Sequence, residues 1–107
     1  MNAPKPISTT EAHTLVRSEA VLVDIRAAPE RRSGVNPGAV HAPLSALDRT
    51  KLDITPGHAV IFHGRSGGRA TRHAAALQAT AGAAEAYLLE GGLEAWRAAG
   101  VPIARSR

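Results

Sequence analysis

Three short apolar runs set the frame of this chain. Val21, Leu22, Val23 and Ile25 stand in SEAVLVDIR, which closes on Asp24 and Arg26; Ala59, Val60, Ile61 and Phe62 stand in HAVIFHG; Tyr87, Leu88 and Leu89 stand in EAYLLEGG. Short apolar runs bounded by polar residues and glycine suit buried strands of a parallel sheet. Helical patterns lie between them. Ser8, Thr9, Thr10 and Glu11 form an S-x-x-E capping box ahead of Ala12, Leu15 and Val16. Ala70, Ala74 and Leu77 fall at i, i+4 and i+7 and predict one helix over residues 69–80, stopped by Gly82. Leu93 and Trp96 share a face of a last short helix, ended by Gly100 and Pro102. The middle segment, NPGAVHAPLSALD, has a turn signal at Pro37 and Gly38, then a minimal strand and one turn of helix. Residues 1–6 read as a loose lead-in and residues 104–107 as a basic tail. Strands alternating with helices imply βαβ units. The expected fold is a small three-layer α/β domain, a parallel sheet flanked by helices.

Length and composition narrow this further. The 107 residues suit one domain, with its core over about residues 7–103. The sequence contains no cysteine, which removes disulfides, thiolate metal sites and thiol catalysis. No run reaches the length of a membrane span, and the start, MNAPKP, lacks the apolar core of a signal peptide. A cytoplasmic location is the expectation. The net charge is +4 and the pI about 10.7. Such a balance suggests a nucleic-acid partner, but Phe62, Tyr87 and Trp96 are the only aromatic residues, too few for a base-stacking platform. Scattered single arginines read as a solvated basic surface, and no nucleic acid is expected.

Arg65, Arg69 and Arg72 are the exception. They crowd into FHGRSGGRATRH, where an apolar strand gives way to a helix. In an α/β domain ligands bind beyond the carboxyl ends of the strands. Residues 64–69 lie there, and Asp24 and Arg26 end a second strand at the same edge. Gly64, Gly67 and Gly68 let the backbone turn tightly and present its N–H groups, and the helix beginning near Gly68 adds its positive end. Cations are disfavoured at a helix N-terminus. Three arginines there call for a carboxylate, such as Asp24 beside Arg69, or for a bound anion. The expected partner is a small oxyanion (thiosulfate, sulfate or phosphate) at the loop Gly64, Arg65, Ser66, Gly67, Gly68 and Arg69. Arg65 is its main side-chain contact, with Asp24 and Arg26 in support.

Other chemistries fit less well. Residues 64–68 also match G-x-S-x-G, the nucleophile elbow of α/β-hydrolases. A serine hydrolase using Ser66 needs an acid and then a histidine downstream, and only His73 follows, seven residues along the same predicted helix. Neither G-x-x-x-x-G-K-[ST] nor G-x-G-x-x-G occurs. The histidines at 13, 41, 58, 63 and 73 lack metal-ligand spacing, so neither metal nor cofactor is expected. His63 reads as a structural group bonded to the loop backbone, and Trp96 as core.

At the loop the chain resembles the rhodanese-like, or sulfurtransferase, family, most of all single rhodanese domains of bacteria. VLVDIR resembles that family's second strand, NPGAVHAPLSAL its P-G-A-x-x-x-P-L segment, FHGRSGGRA its active-site loop, and YLLEGGLEAWRAAGVPI its L-x-G-G-x-x-A-W ending. The family loop reads C-R-S-G-x-R. Arg65, Ser66, Gly67 and Arg69 match it, and Gly64 stands at the position of the nucleophilic cysteine. The resemblance implies a rhodanese fold and, for cysteine-bearing members, transfer of a sulfane sulfur from thiosulfate through a persulfide. Serine in this pattern supports the loop. Arg31 and Val35 depart from the aromatic and the histidine common in the family. Two functions follow: an anion-binding or regulatory module that lacks the persulfide-forming cysteine, or a sulfurtransferase whose catalytic cysteine is replaced by Gly64.

Overall fold

The computed structural model describes residues 4–33, 39–49, 52, 54, 57–65 and 68–100; of residues 31–33, 48, 49 and 69 only the backbone is described. Five parallel strands form one sheet: β1 (Lys5–Ile7), β2 (Val21–Asp24), β3 (Val40–His41), β4 (Val60–His63) and β5 (Ala86–Leu89). Their spatial order is β1-β5-β4-β2-β3. From β2 the chain steps outward to β3, then returns to the other side of β2 for β4 and continues to β5. The order therefore reverses between β2 and β4. Connections leaving these two strands diverge, and a crevice opens beyond their carboxyl ends.

Alternation along the strands sorts the core into two faces. On one, Val23, Ile25, Val60, Phe62 and Leu88 pack with Ala70, Leu77 and Ala81. These last residues come from helices α2 (Gly68–Arg72) and α3 (Ala74–Ala81). On the other face, Leu22, Ile61 and Leu89 pack with Ala12 and Trp96. Those two come from α1 (Thr9–Arg17) and α4 (Gly92–Ala98). The layering is the three-layer α/β arrangement that the sequence pattern predicts. β4 is buried at all four residues. Complete burial of Phe62 alone stabilises the fold by about 1.5–3 kcal/mol.

The capping box forms as expected: the Ser8 hydroxyl accepts from the Glu11 N–H, and the Glu11 carboxylate accepts from the Ser8 N–H, both at 3.1 Å. Two expectations need correction. The described part of the lead-in is not loose, because Lys5–Ile7 is an edge strand in register with Tyr87, Leu88 and Leu89, while residues 1–3 lie outside the described residues. It shows no periodicity because only Ile7 is buried, and Pro6 is tolerated because an edge strand has one side without a ladder. The helix over residues 69–80 is broken. α2 ends at Arg72, and His73 leaves helical geometry with φ −112° and ψ 21° before α3 begins. Its N–H closes back on Ala70 three residues earlier, at 3.2 Å. Spacing is blind to this break, since Ala70 and Leu77 are fully buried in the same cluster on either side of it. The middle segment yields β3 and a six-residue 3-10 helix, Leu44–Arg49. A second such helix, Ala28–Ser33, has no counterpart in the pattern. The turn expected at Pro37 and Gly38 and the tail at residues 104–107 lie outside the described residues.

Candidate functional site

The site is built at the strand ends where the sheet order reverses. Asp24 and His63, the last residues of β2 and β4, are partners in register, and His41 of β3 pairs with Asp24 on its other side. Alternation puts all three on the face covered by α1 and α4. Asp24 and His63 are fully buried and Arg26 is 2% exposed.

Arg26 turns back on Asp24. Its Nε lies 3.0 and 3.2 Å from the two carboxylate oxygens, its Nη2 2.8 Å from Oδ2, and its backbone N–H 2.9 Å from Oδ1. Its Nη1 donates to the Glu30 carbonyl at 3.2 Å, and the Arg26 carbonyl accepts from His41 Nε2 at 2.7 Å. Burial alone raises the Asp24 pKa. The Arg26 side-chain hydrogen bonds, the nearby His63 and the Arg26 backbone N–H outweigh it, so the net value falls below the ordinary 3.8. The arginine that holds Asp24 is Arg26; Arg69 is the partner the sequence suggested. The side chain of Arg69 lies outside those described.

The loop begins at Gly64, which is buried. Its carbonyl accepts from the Leu93 N–H at 2.9 Å and from His63 Nδ1 at 3.0 Å. A carbonyl only accepts, so Nδ1 of His63 carries the proton. The Arg65 carbonyl accepts from the Glu94 N–H at 3.0 Å. Leu93 and Glu94 are first-turn residues of α4, whose amides have no partner within their own helix. α4 has no side-chain cap; Gly91 precedes it in the left-handed region at φ 73°. The loop carbonyls do the capping instead. Gly92, at φ 56°, lets the two backbones approach, since a Cβ there would lie 2.6 Å from the Gly64 oxygen and 2.8 Å from the Arg65 oxygen. Here the successive glycines of the sequence acquire their reason. His63 is the structural histidine expected, and Trp96 is buried core at 3% exposure.

Beside this clamp lies a cavity of about 370 Å³ lined by Arg26, Glu30, Arg65, Leu93, Glu94 and Arg97. Arg65 is mostly exposed and its Nε stands 3.5 Å from a Glu94 carboxylate oxygen, so it has a partner that the sequence pattern does not announce. Glu30 accepts the Ala27 N–H at 3.1 Å. Gly68 opens α2 as expected, yet lines a separate cavity of about 430 Å³ with Thr71, Arg72, Leu89 and Glu90 among others. Ser66 and Gly67 lie outside the described residues. His73, which a serine hydrolase would need, stands exposed at the junction of α2 and α3. Among the described residues no group of three or more His, Asp or Glu is placed to hold a metal, and no helix is long and apolar enough to cross a membrane. Sequence reasoning missed Glu30, Gly92, Glu94 and Arg97. The signal available was the pair Gly91 and Gly92 before a helix with no Ser, Thr, Asp or Asn to cap it.

This fold and loop define a class, and comparison with known proteins agrees. The sequence model of the rhodanese-like domain family matches residues 8–99, and the chain belongs to that family. A rhodanese-related protein from Thermoplasma volcanium superposes with a TM-score of 0.77 at 18% identity, over 92% of this chain and 96% of that one. A Rhodopseudomonas palustris protein described as a possible tyrosine phosphatase gives 0.74 at 28% identity, over 94% and 84%. A thiosulfate sulfurtransferase from Pseudomonas aeruginosa gives 0.76 at 25% identity; the match covers 98% of this chain but 20% of that one.

Two predictions follow from the geometry. Asp24→Asn leaves the Arg26 charge buried without its carboxylate and should cost about 3–5 kcal/mol at pH 7. The pair's contribution is complete above the unfolded carboxylate value, about 3.9, and is lost as the pH falls through the lowered folded value. Urea unfolding at pH 7 and pH 2.5 should therefore show the gap between variant and wild type narrowing in acid. An equal gap at both pH values would mean that the carboxylate is not ionised in the pair.

Gly92→Ala should be worse than Gly100→Ala. Both residues sit at positive φ, 56° and 78°, but a Cβ on Gly100 meets nothing within 4 Å. Backbone strain of about 1–2 kcal/mol is common to both. Only at Gly92 does the clash with the loop add to it. Thermal melts should show a visibly lower Tm for Gly92→Ala; matching values would mean that the loop does not rest on α4.

Proposed function

We propose that this domain is an oxyanion-binding or regulatory module of rhodanese fold that does not transfer sulfur in this form. The observation that carries the reading is Gly64: it follows β4 where the sheet order reverses, held by α4, beside an arginine-bearing cavity, and it has no side chain. A persulfide needs a sulfur nucleophile, and the sequence contains no cysteine. What remains is the part of the site that holds charge. The loop over residues 64–69 would supply backbone donors, and Arg65 offers an exposed guanidinium. Thiosulfate, sulfate and phosphate carry the oxyanion chemistry that such a site would take, and a reducing cytoplasm suits a chain without thiols.

The first test is an NMR titration with thiosulfate. Amides between residues 64 and 70 should move, and Arg65→Ala should weaken binding by about 1.5–3 kcal/mol, the worth of a charge-assisted contact. Affinity should fall with added salt. Unmoved loop amides at saturating thiosulfate would end the reading. In a thiosulfate:cyanide assay the wild-type chain should turn over no faster than a heat-treated control.

The sulfurtransferase reading is tested by restoring the nucleophile. In Gly64→Cys a thiolate would sit beside Arg65 and near the start of α2, surroundings that lower a thiol pKa. The thiolate attacks the sulfane sulfur of thiosulfate; a sulfur–sulfur bond forms and sulfite leaves. Cyanide then takes that sulfur as thiocyanate and regenerates the thiolate. Mass spectrometry should show one added sulfur after thiosulfate and its removal by cyanide. A folded variant that is alkylated yet never carries the sulfur would leave binding as the only role of the loop.

A further inference from the structure

The charges around the cavity bear on what kind of anion it takes. Its lining carries Arg26, Arg65 and Arg97 against Glu30 and Glu94. Arg26 is saturated by Asp24 directly beneath it, at 2.8–3.2 Å. Glu30 and Glu94 share the described lining with the arginines, so it is not purely cationic. The Glu94 carboxylate already stands 3.5 Å from Arg65 Nε. A bare oxyanion that engages Arg65 must crowd Glu94 or take its partner away, and a carboxylate left beside a second anion is repelled.

We infer that the cavity beside Arg65 selects a small organic zwitterion over an inorganic oxyanion: an anionic head group joined by a short chain to an ammonium or amidinium group. The inference rests on the reading that the loop and Arg65 hold an anion, and it names the class of that anion. When the head group takes Arg65, the ligand's own cation gives Glu94 a new partner. One exposed ion pair is exchanged for two. The space fits. About 370 Å³ is large for a four- or five-atom oxyanion and lies at the small end of organic ligand sites, about 300–1,000 Å³. Leu93 supplies apolar surface for the linking methylenes. Arg65 and Glu94 are nearly in contact, and each charge-assisted contact to a ligand spans about 2.7–2.9 Å. The ligand's two charges therefore lie only a few ångströms apart, the reach of a chain of about two or three carbons.

Probes of matched shape test this: 2-aminoethanesulfonate, ethanesulfonate and thiosulfate, titrated by NMR into the wild-type chain and into Glu94→Gln. The side chain of Glu94 is exposed, and unchanged amide dispersion will confirm that the variant folds. In the wild type the amino compound should bind about tenfold more tightly than ethanesulfonate, the worth of one charge-assisted contact. In Glu94→Gln the order should collapse from both sides, with the amino compound weaker and ethanesulfonate and thiosulfate tighter. Equal wild-type affinities for the two sulfonates, with thiosulfate still moving the loop amides, overturn the zwitterion and leave the anion reading standing. A preference that survives Glu94→Gln overturns the role of Glu94 and with it the inference. No response to any of the three overturns both.

Discussion

Two hydrogen bonds join Gly64 and Arg65 to the start of α4, and the geometry of the candidate site hangs on them. A helix normally needs a side chain to cap its first amides. α4 has none, and the carbonyls of Gly64 and Arg65 take that place at 2.9 and 3.0 Å. Each bond contributes on the order of 1 kcal/mol directly, and more in what its loss would leave unpaired. The arrangement serves both partners. The helix is capped, and the loop's first two carbonyls are fixed away from any anion that the loop would hold. Gly92 is the condition for it, because no residue with a Cβ fits between the two backbones.

A second constraint sits one strand over. Asp24 and Arg26 are buried together, and their many contacts keep Arg26 from acting as a free cation even though it borders the cavity. Such a pair adds little net stability compared with an apolar replacement, yet it is costly to break from one side. Its effect here is positional. It ties β2 to the segment that follows and, through the Glu30 carbonyl, to the 3-10 helix at the cavity's edge. At the cavity's edge Arg65 stands beside Glu94, its Nε 3.5 Å from a carboxylate oxygen.

Much of this was legible in the sequence because burial has a period. VLVD and VIFH are central strands and read as such; the capping box at Ser8 and Glu11 announces α1. The loop was legible because glycine, arginine and a strand-to-helix change coincide there. Three features escaped for physical reasons. β1 is defined by its partner β5 and buries one side chain, too few to make a pattern. The break at His73 keeps Ala70 and Leu77 in the same cluster, so spacing cannot see it. Arg65 meets Glu94 only because α4 folds back onto the loop across nearly thirty intervening residues, and no local rule reports that contact.

The central claim is that the loop rests on α4, and native-state hydrogen exchange reads it directly. First-turn amides of a solvent-facing helix ordinarily exchange at nearly unprotected rates, since they lack an intrahelical acceptor. The Leu93 and Glu94 amides should instead be protected to a degree approaching those of β4, and should lose that protection together. Exchange of both at the rate of an open helix end, with β4 still protected, would contradict the account.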